Sequence, residues 1–169
     1  MAEKREISIR PQQIKDARDF YRILTTGDFA YFPVNIASIE AEKRFLRKNV
    51  AEFKTGRNYN FSVILNQKVI GAVGIMPEGG RPYNAEIGYF IDREYHGQGF
   101  ALRAVELAIE YVRKELPGIN RLQAIIATGN LCSVRVVEKA GFQKEGILID
   151  YLKISNEFHN AYIFSKIIR

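Results

Sequence analysis

The chain has 169 residues, 47% of them hydrophobic and 26% charged, enough for one ordinary globular core and unlike a disordered chain. Its formal charge of +6 suits an anionic partner, whether nucleic acid, membrane surface or polyphosphate cofactor, without choosing among them. No apolar run reaches membrane-span length, the mixed-charge stretch Met1–Glu6 does not read as a signal peptide, and the lone Cys132 excludes an internal disulfide, so a cytoplasmic protein is expected.

In chain order, Ile7–Pro11 reads as a short strand. Ile14, Ala17, Phe20, Tyr21 and Leu24 then recur at helical spacing up to Gly27. The stretch from Asp28 to Ala37 has no period. Ser38 stands where an N-cap belongs, and Ala41, Phe45, Val50 and Phe53 thread a charged helix ending near Gly56. Lys43, Arg44, Arg47, Lys48, Lys54 and Arg57 on this helix are either a solvated face or a positive stripe able to repel polycations.

Strand patterns follow. Phe61–Leu65 and Val69–Ile75 flank Asn66-Gln67-Lys68 as a hairpin, a break is expected over Gly79-Gly80-Arg81-Pro82, and Ala85–Ile91 is a further strand. Gly99–Glu115 reads as a helix with Leu102, Val105, Ile109 and Val112 inward and Pro117-Gly118 as its stop. Leu122–Ala127 is a strand, Leu131–Ala140 a helix, and the remainder two strands joined around Ser155-Asn156-Glu157. The order describes a mixed α/β fold in one domain over residues 1–169. Strand, helix and strand in succession imply a parallel pair, with ligands beyond the strands' carboxyl ends beside the helix N-terminus.

That position holds His96-Gly97-Gln98-Gly99-Phe100-Ala101. Glycines keep side chains away from the backbone, and free amides at a helix start hold phosphates. A P-loop is excluded because no Lys-Ser or Lys-Thr follows, and a dinucleotide fingerprint because Leu102 stands where a third small residue is needed. Two glycines in such a turn also fit a plain helix entry. After the next strand, Asn130 is placed as an N-cap, and Ser133 lies in the first helical turn, where a hydroxyl meets the positive end of the dipole. There it is either a solvated serine or a group able to protonate a departing thiolate.

The strand Glu86–Ile91, the loop His96–Ala101, and Asn130-Leu131-Cys132-Ser133 followed by Lys139-Ala140-Gly141-Phe142 together resemble the general N-acetyltransferase (GNAT) superfamily. Within it the chain is most similar to the ribosomal-protein N-terminal acetyltransferases. The resemblance implies a central, mostly antiparallel sheet with a splayed parallel pair, flanked by helices and holding acetyl-CoA in the cleft. It implies that the backbone of Tyr89, Phe90 and Ile91 pairs with pantetheine, that the loop amides hold the pyrophosphate, and that Asn130 and Ser133 lie by the pantetheine and sulfur. No metal is implied. The sequence departs from the family at His96, where Arg or Gln is common, at Val137, where some relatives carry a tyrosine acid, and at Asn160, where the branch often has Asp.

The implied reaction is direct attack of a neutral amine, from a small molecule or a protein N-terminus, on acetyl-CoA. Glu86 is the carboxylate candidate for base, or else a structural acid paired with an arginine or an amide. Ser133 is the candidate acid. A covalent route through Cys132 lacks an accompanying base. Ribosome association and a monomeric or homodimeric state accompany this expectation, with a non-catalytic acyl-CoA-binding module as the alternative.

Overall fold

The computed structural model describes residues 6–27, 29–31 and 36–168. The polar start and part of the aperiodic stretch between residues 28 and 37 lie outside the described residues. Seven strands form one sheet in the order β1-β2-β3-β4-β5-β7-β6. The first four, β1 (Ile7–Pro11), β2 (Tyr59–Leu65), β3 (Lys68–Glu78) and β4 (Arg81–Ile91), pair antiparallel with one another in succession. The others are β5 (Arg121–Ala127), β6 (Gln143–Ile154) and β7 (Glu157–Ile167), with β7 antiparallel to both β5 and β6.

Local rules account for many boundaries. Asn66 and Gln67 both take positive φ, 47° and 67°, as a two-residue hairpin turn matching the right-handed strand twist demands. Lys68 already belongs to β3, so the turn is shorter than expected. The expected break at Gly79–Pro82 is likewise shorter, because Gly79-Gly80 alone turns the chain. Pro82 lies inside β4, in the irregular register between Arg81 and Ala85, where its missing N–H breaks no regular ladder.

Four helices cover the sheet: α1 (Ala17–Thr26), α2 (Ile39–Lys54), α3 (Phe100–Glu115) and α4 (Leu131–Lys139). Ser38 caps α2, its Oγ accepting from the Ala41 amide at 3.1 Å. On α3, Ala104, Val105, Ala108, Ile109 and Val112 are buried in the larger core, together with Ile87, Ile91 and Val137. On the other face, a smaller cluster joins Phe20 and Ile23 of α1 and Leu46 of α2 to Val69 and Ala72, with Phe90 packed against it. Side chains alternate across a strand, so Glu86, Gly88 and Phe90 share the α1/α2 face, and Ile87, Tyr89 and Ile91 the α3 face.

The inward stripe of α2 differs from the one its apolar residues suggest. Phe45 is 55% exposed, while Glu42, Leu46 and Asn49 are buried. The helix is rotated because Asn49 Nδ2 donates to Gln12 Oε1 at 2.7 Å in the interior, so a satisfied polar pair takes a position that a pattern of apolar residues alone assigns outward.

The parallel contact between β4 and β5 shapes the site. Its register contains three pairs, Asn84–Arg121, Ala85–Leu122 and Glu86–Gln123. Beyond Glu86, β4 runs on to Ile91 and β5 to Ala127 without pairing to each other, whereas β4 stays paired with β3 as far as Ile91. The strands diverge and leave a cleft. Opposite it, the Phe90 carbonyl occupies the place a Cβ of Gly71 would fill, so β4 presses onto β3 at a point that admits glycine alone.

Candidate active site

The cleft ends at the N-terminus of α3. Gly97 and Gly99 have φ of 72° and 81°, and Gly99 is the left-handed N-cap of α3. A Cβ at either position would meet no protein atom within 4 Å. The space over these glycines is therefore open, and the amides of Phe100 and Ala101 belong to the first turn, where no helical acceptor exists for them. Positive dipole, free amides and an uncovered backbone are the features by which a helix start can hold an anion.

The loop is fixed from both sides. His96 Nε2–H donates to the Ile91 carbonyl at 2.8 Å, which sets the tautomer and spans the end of β4. His96 thus holds the loop onto the strand, and the fixed cation common elsewhere in the resembled family is replaced by an internal tie. Asp92 is buried, and its Oδ1 accepts from the Glu94 amide at 3.3 Å. Its Oδ2 lies 2.9 Å from Arg22 Nη2, an ion pair linking α1 to the base of the loop. Gln98 Nε2 donates to the Glu94 carbonyl at 3.2 Å, so this side chain folds back on the preceding turn.

At the other wall, Asn130 Oδ1 accepts from the Ser133 amide at 3.2 Å and caps α4. The Ser133 hydroxyl lies 2.7 Å from the Tyr89 phenol, and the phenol also reaches the Ser133 carbonyl at 3.2 Å. Burial pushes the Tyr89 phenol up to about 12, with the Ser133 hydrogen bond opposing it, so the group is a neutral O–H at neutral pH. The family resemblance implies a backbone role alone for Tyr89. The structure adds its hydroxyl to Ser133 from a strand 44 residues away, supplying a phenol from β4 where Val137 of α4 lacks one. A second residue that sequence reasoning misses is Tyr31, whose hydroxyl would stand 2.6 Å from a Cβ on Gly129, at the mouth of β5. It lies in the aperiodic stretch, which carries no signal for it.

Glu86 lies on the α1/α2 face, beside the last β4–β5 pair. Burial, then the neighbouring negative charge of Glu78, pushes its carboxyl above the ordinary carboxylate range. Glu78 itself is engaged by Gln123 Nε2 at 2.7 Å. Among the described residues no side chain pairs with Glu86, so the arginine or amide partner of a structural acid is not found. A carboxylate of raised basicity with free lone pairs is suited to accept a proton. Cys132 is exposed at the start of α4. The basic residues of α2 face outward: Arg44, Arg47, Lys48 and Lys54 are exposed, and Lys43 pairs with Glu40 at 2.6 Å. The solvated-face reading of that stripe is the one the structure supports.

The acetyltransferase (GNAT) domain family matches residues 6–143. The chain belongs to the GNAT acetyltransferase family. The probable N-acetyltransferase YjcK of Bacillus subtilis is 28% identical over 180 residues, covering 98% of this chain and 96% of YjcK. The structure of ribosomal-protein-S5-alanine acetyltransferase from Vibrio fischeri is 26% identical, with a TM-score of 0.85 over 95% of this chain and 92% of that one. The microcin C7 self-immunity acetyltransferase MccE, solved with acetyl-CoA and AMP, is 20% identical with a TM-score of 0.88, covering 96% and 92%. This GNAT chain is an acyl-CoA-dependent N-acetyltransferase that uses acetyl-CoA and an amine acceptor. Its sheet, mostly antiparallel with one parallel pair and flanked by four helices, matches the expected fold. Among the described residues, no helix is long and apolar enough to cross a membrane.

Proposed function

We propose that the whole chain acts as one domain that carries out direct transfer in the cleft between β4 and β5. The divergence of these strands after Glu86, directly before the amides of α3, carries this reading. The pyrophosphate of acetyl-CoA rests over Gly97 and Gly99 on amides between Gly97 and Ala101; the His96 amide expected to join them is taken by the Arg93 carbonyl at 3.1 Å. Pantetheine runs along the β4 edge from Tyr89 to Ile91, the stretch that lacks a strand neighbour on the β5 side, and Asn130 and Ser133 stand at its sulfur end.

The acceptor enters from the α1/α2 face and loses a proton to Glu86, directly or through one water. Its nitrogen forms the new C–N bond while the oxyanion takes hydrogen bonds from β4 amides. The C–S bond then breaks, and the thiolate takes a proton from the Ser133 hydroxyl, which is resupplied through the Tyr89 phenol. Direct transfer needs no acyl-cysteine. The acceptor is a small-molecule amine or a protein N-terminus, the latter favoured by the S5-alanine relative and consistent with ribosome association in the cytoplasm by a monomer or homodimer. The test is a panel of primary amines and short N-terminal peptides with acetyl-CoA, read by thiol release and product mass. Turnover of a panel member supports the reading, and tight acetyl-CoA binding without turnover of any overturns it.

A further inference from the structure

Asp92 stands where β4 ends and the glycine loop begins, and its side chain is 4% exposed. Its amide donates to the Ile70 carbonyl at 2.7 Å, which carries the contact with β3 one residue past Ile91. Its carbonyl accepts from the Tyr95 amide at 2.9 Å, and Oδ1 accepts from the Glu94 amide at 3.3 Å. These bonds close the single turn Arg93–Tyr95, from which His96 and the two glycines follow. The approach to the Gly97–Ala101 amides is thus built on Asp92.

The remaining carboxylate oxygen, Oδ2, is buried and makes no hydrogen bond. A buried carboxylate oxygen of this kind is costly unless a counter-charge stands beside it. Arg22 Nη2 supplies that charge at 2.9 Å, a contact without hydrogen-bond alignment and the one ion pair of Asp92 among the described residues. Arg22 belongs to α1, across the sheet from α3. Side chains two apart on a strand share a face, and α1 meets both Phe90 and Asp92: the Phe20 ring stands edge-on to Phe90 at 6.0 Å, and Arg22 reaches the carboxylate. The aromatic contact sets where α1 lies, and the ion pair balances the charge on which the turn is built.

We propose that Arg22 is a positioning residue for acetyl-CoA, acting through Asp92 to hold the turn that presents the loop amides to the pyrophosphate. This inference rests on the loop's holding that group and adds to it a residue from the opposite face of the sheet. Without Arg22 the buried carboxylate must turn to water or another donor, and either response shifts the turn that Asp92 closes. The loss falls on the pyrophosphate, because the β4 edge offered to pantetheine stays paired with β3 as far as Ile91.

The test is calorimetry of CoA and of pantetheine, which lacks the pyrophosphate, with the wild type, Arg22→Ala, Arg22→Lys, Asp92→Asn and the double variant Arg22→Ala/Asp92→Asn. The wild type should bind CoA more tightly than pantetheine; equal affinities there remove the loop assignment and the inference with it. Arg22→Ala should weaken CoA binding by about three- to thirtyfold and leave pantetheine unchanged, and Arg22→Lys, which keeps the charge, should recover part of the loss. In the Asp92→Asn background, Arg22→Ala should cost no further CoA affinity, since a neutral amide needs no counter-charge. A role confined to stability lowers the melting temperature of Arg22→Ala but leaves CoA affinity at the wild-type value, and that result overturns the proposal. An equal loss for both ligands, or an undiminished loss in the Asp92→Asn background, overturns it as well. Should Arg22→Ala not fold, Arg22→Gln, polar but uncharged, takes its place in the same comparison.

Discussion

Replacing Gly99 separates the loop's conformation from its ligand. Its φ is 81°, and outside its two chain neighbours no protein atom lies within 4 Å of where a Cβ would stand, so a Cβ added there has open space in the free protein. The cost to the free fold is the left-handed backbone penalty, about 1–2 kcal/mol, or roughly 2–8 °C in Tm for a chain of this size. Saturation with CoA at a hundredfold its Kd stabilises the wild type by about 2.7 kcal/mol, equivalent to roughly 5–11 °C. Thermal melting with and without CoA should show that shift in the wild type and none in Gly99→Val, where the side chain occupies the phosphate space. Gly99→Asn is the control, because asparagine tolerates positive φ. Its free form should lose less stability than valine's while the CoA response is lost equally. A CoA shift of wild-type size in Gly99→Val would refute the assignment of this loop.

Ser133→Ala should lower kcat by about ten- to a thousandfold at nearly constant KM in single-turnover thiol release. Tyr89→Phe should lower it less, and the double variant should fall no further than Ser133→Ala if the two hydroxyls act as one relay. For Glu86, the base is lost as pH falls through a pKa raised above 4.5 by burial and by Glu78. The kcat/KM profile should therefore decline on its acid side at a pH above the ordinary carboxylate value, and Glu86→Gln should remove that limb. Glu145, held down to about 2 by Arg121 and Ser165, contributes stability that is present above its ordinary 4.5 and lost as pH falls towards about 2. Acid melting curves of Glu145→Gln should be flatter over that window.

Features governed by neighbours in the chain were legible in the sequence. The Ser38 cap, the Asn66-Gln67 turn, the glycine entry to α3 and the Asn130 cap each follow from one residue's backbone or side-chain chemistry. The rotation of α2 was not, because Phe45 and Leu46 are adjacent apolar residues and the choice between them is made by Gln12, far away in sequence. Nothing in the helix itself marks Glu42 and Asn49 as inward, for the same reason. The Tyr89–Ser133 contact joins a strand to a helix that arrives after two further elements, so no spacing rule reports it. Tyr31 lies in a stretch without any period, where its approach to Gly129 leaves no pattern to read.

The three-pair junction between β4 and β5 has a mechanical consequence. An interior strand normally has its backbone hydrogen bonds satisfied on both edges, but from Ile87 to Ile91 β4 has a strand neighbour on one edge alone. The free protein thus carries a seam, along which the β4 backbone groups on the β5 side have no strand partner. A cofactor laid along that edge supplies the absent backbone partners and stitches the halves together. Amide hydrogen exchange should accordingly slow along this edge when CoA binds, including at amides remote from the reacting sulfur.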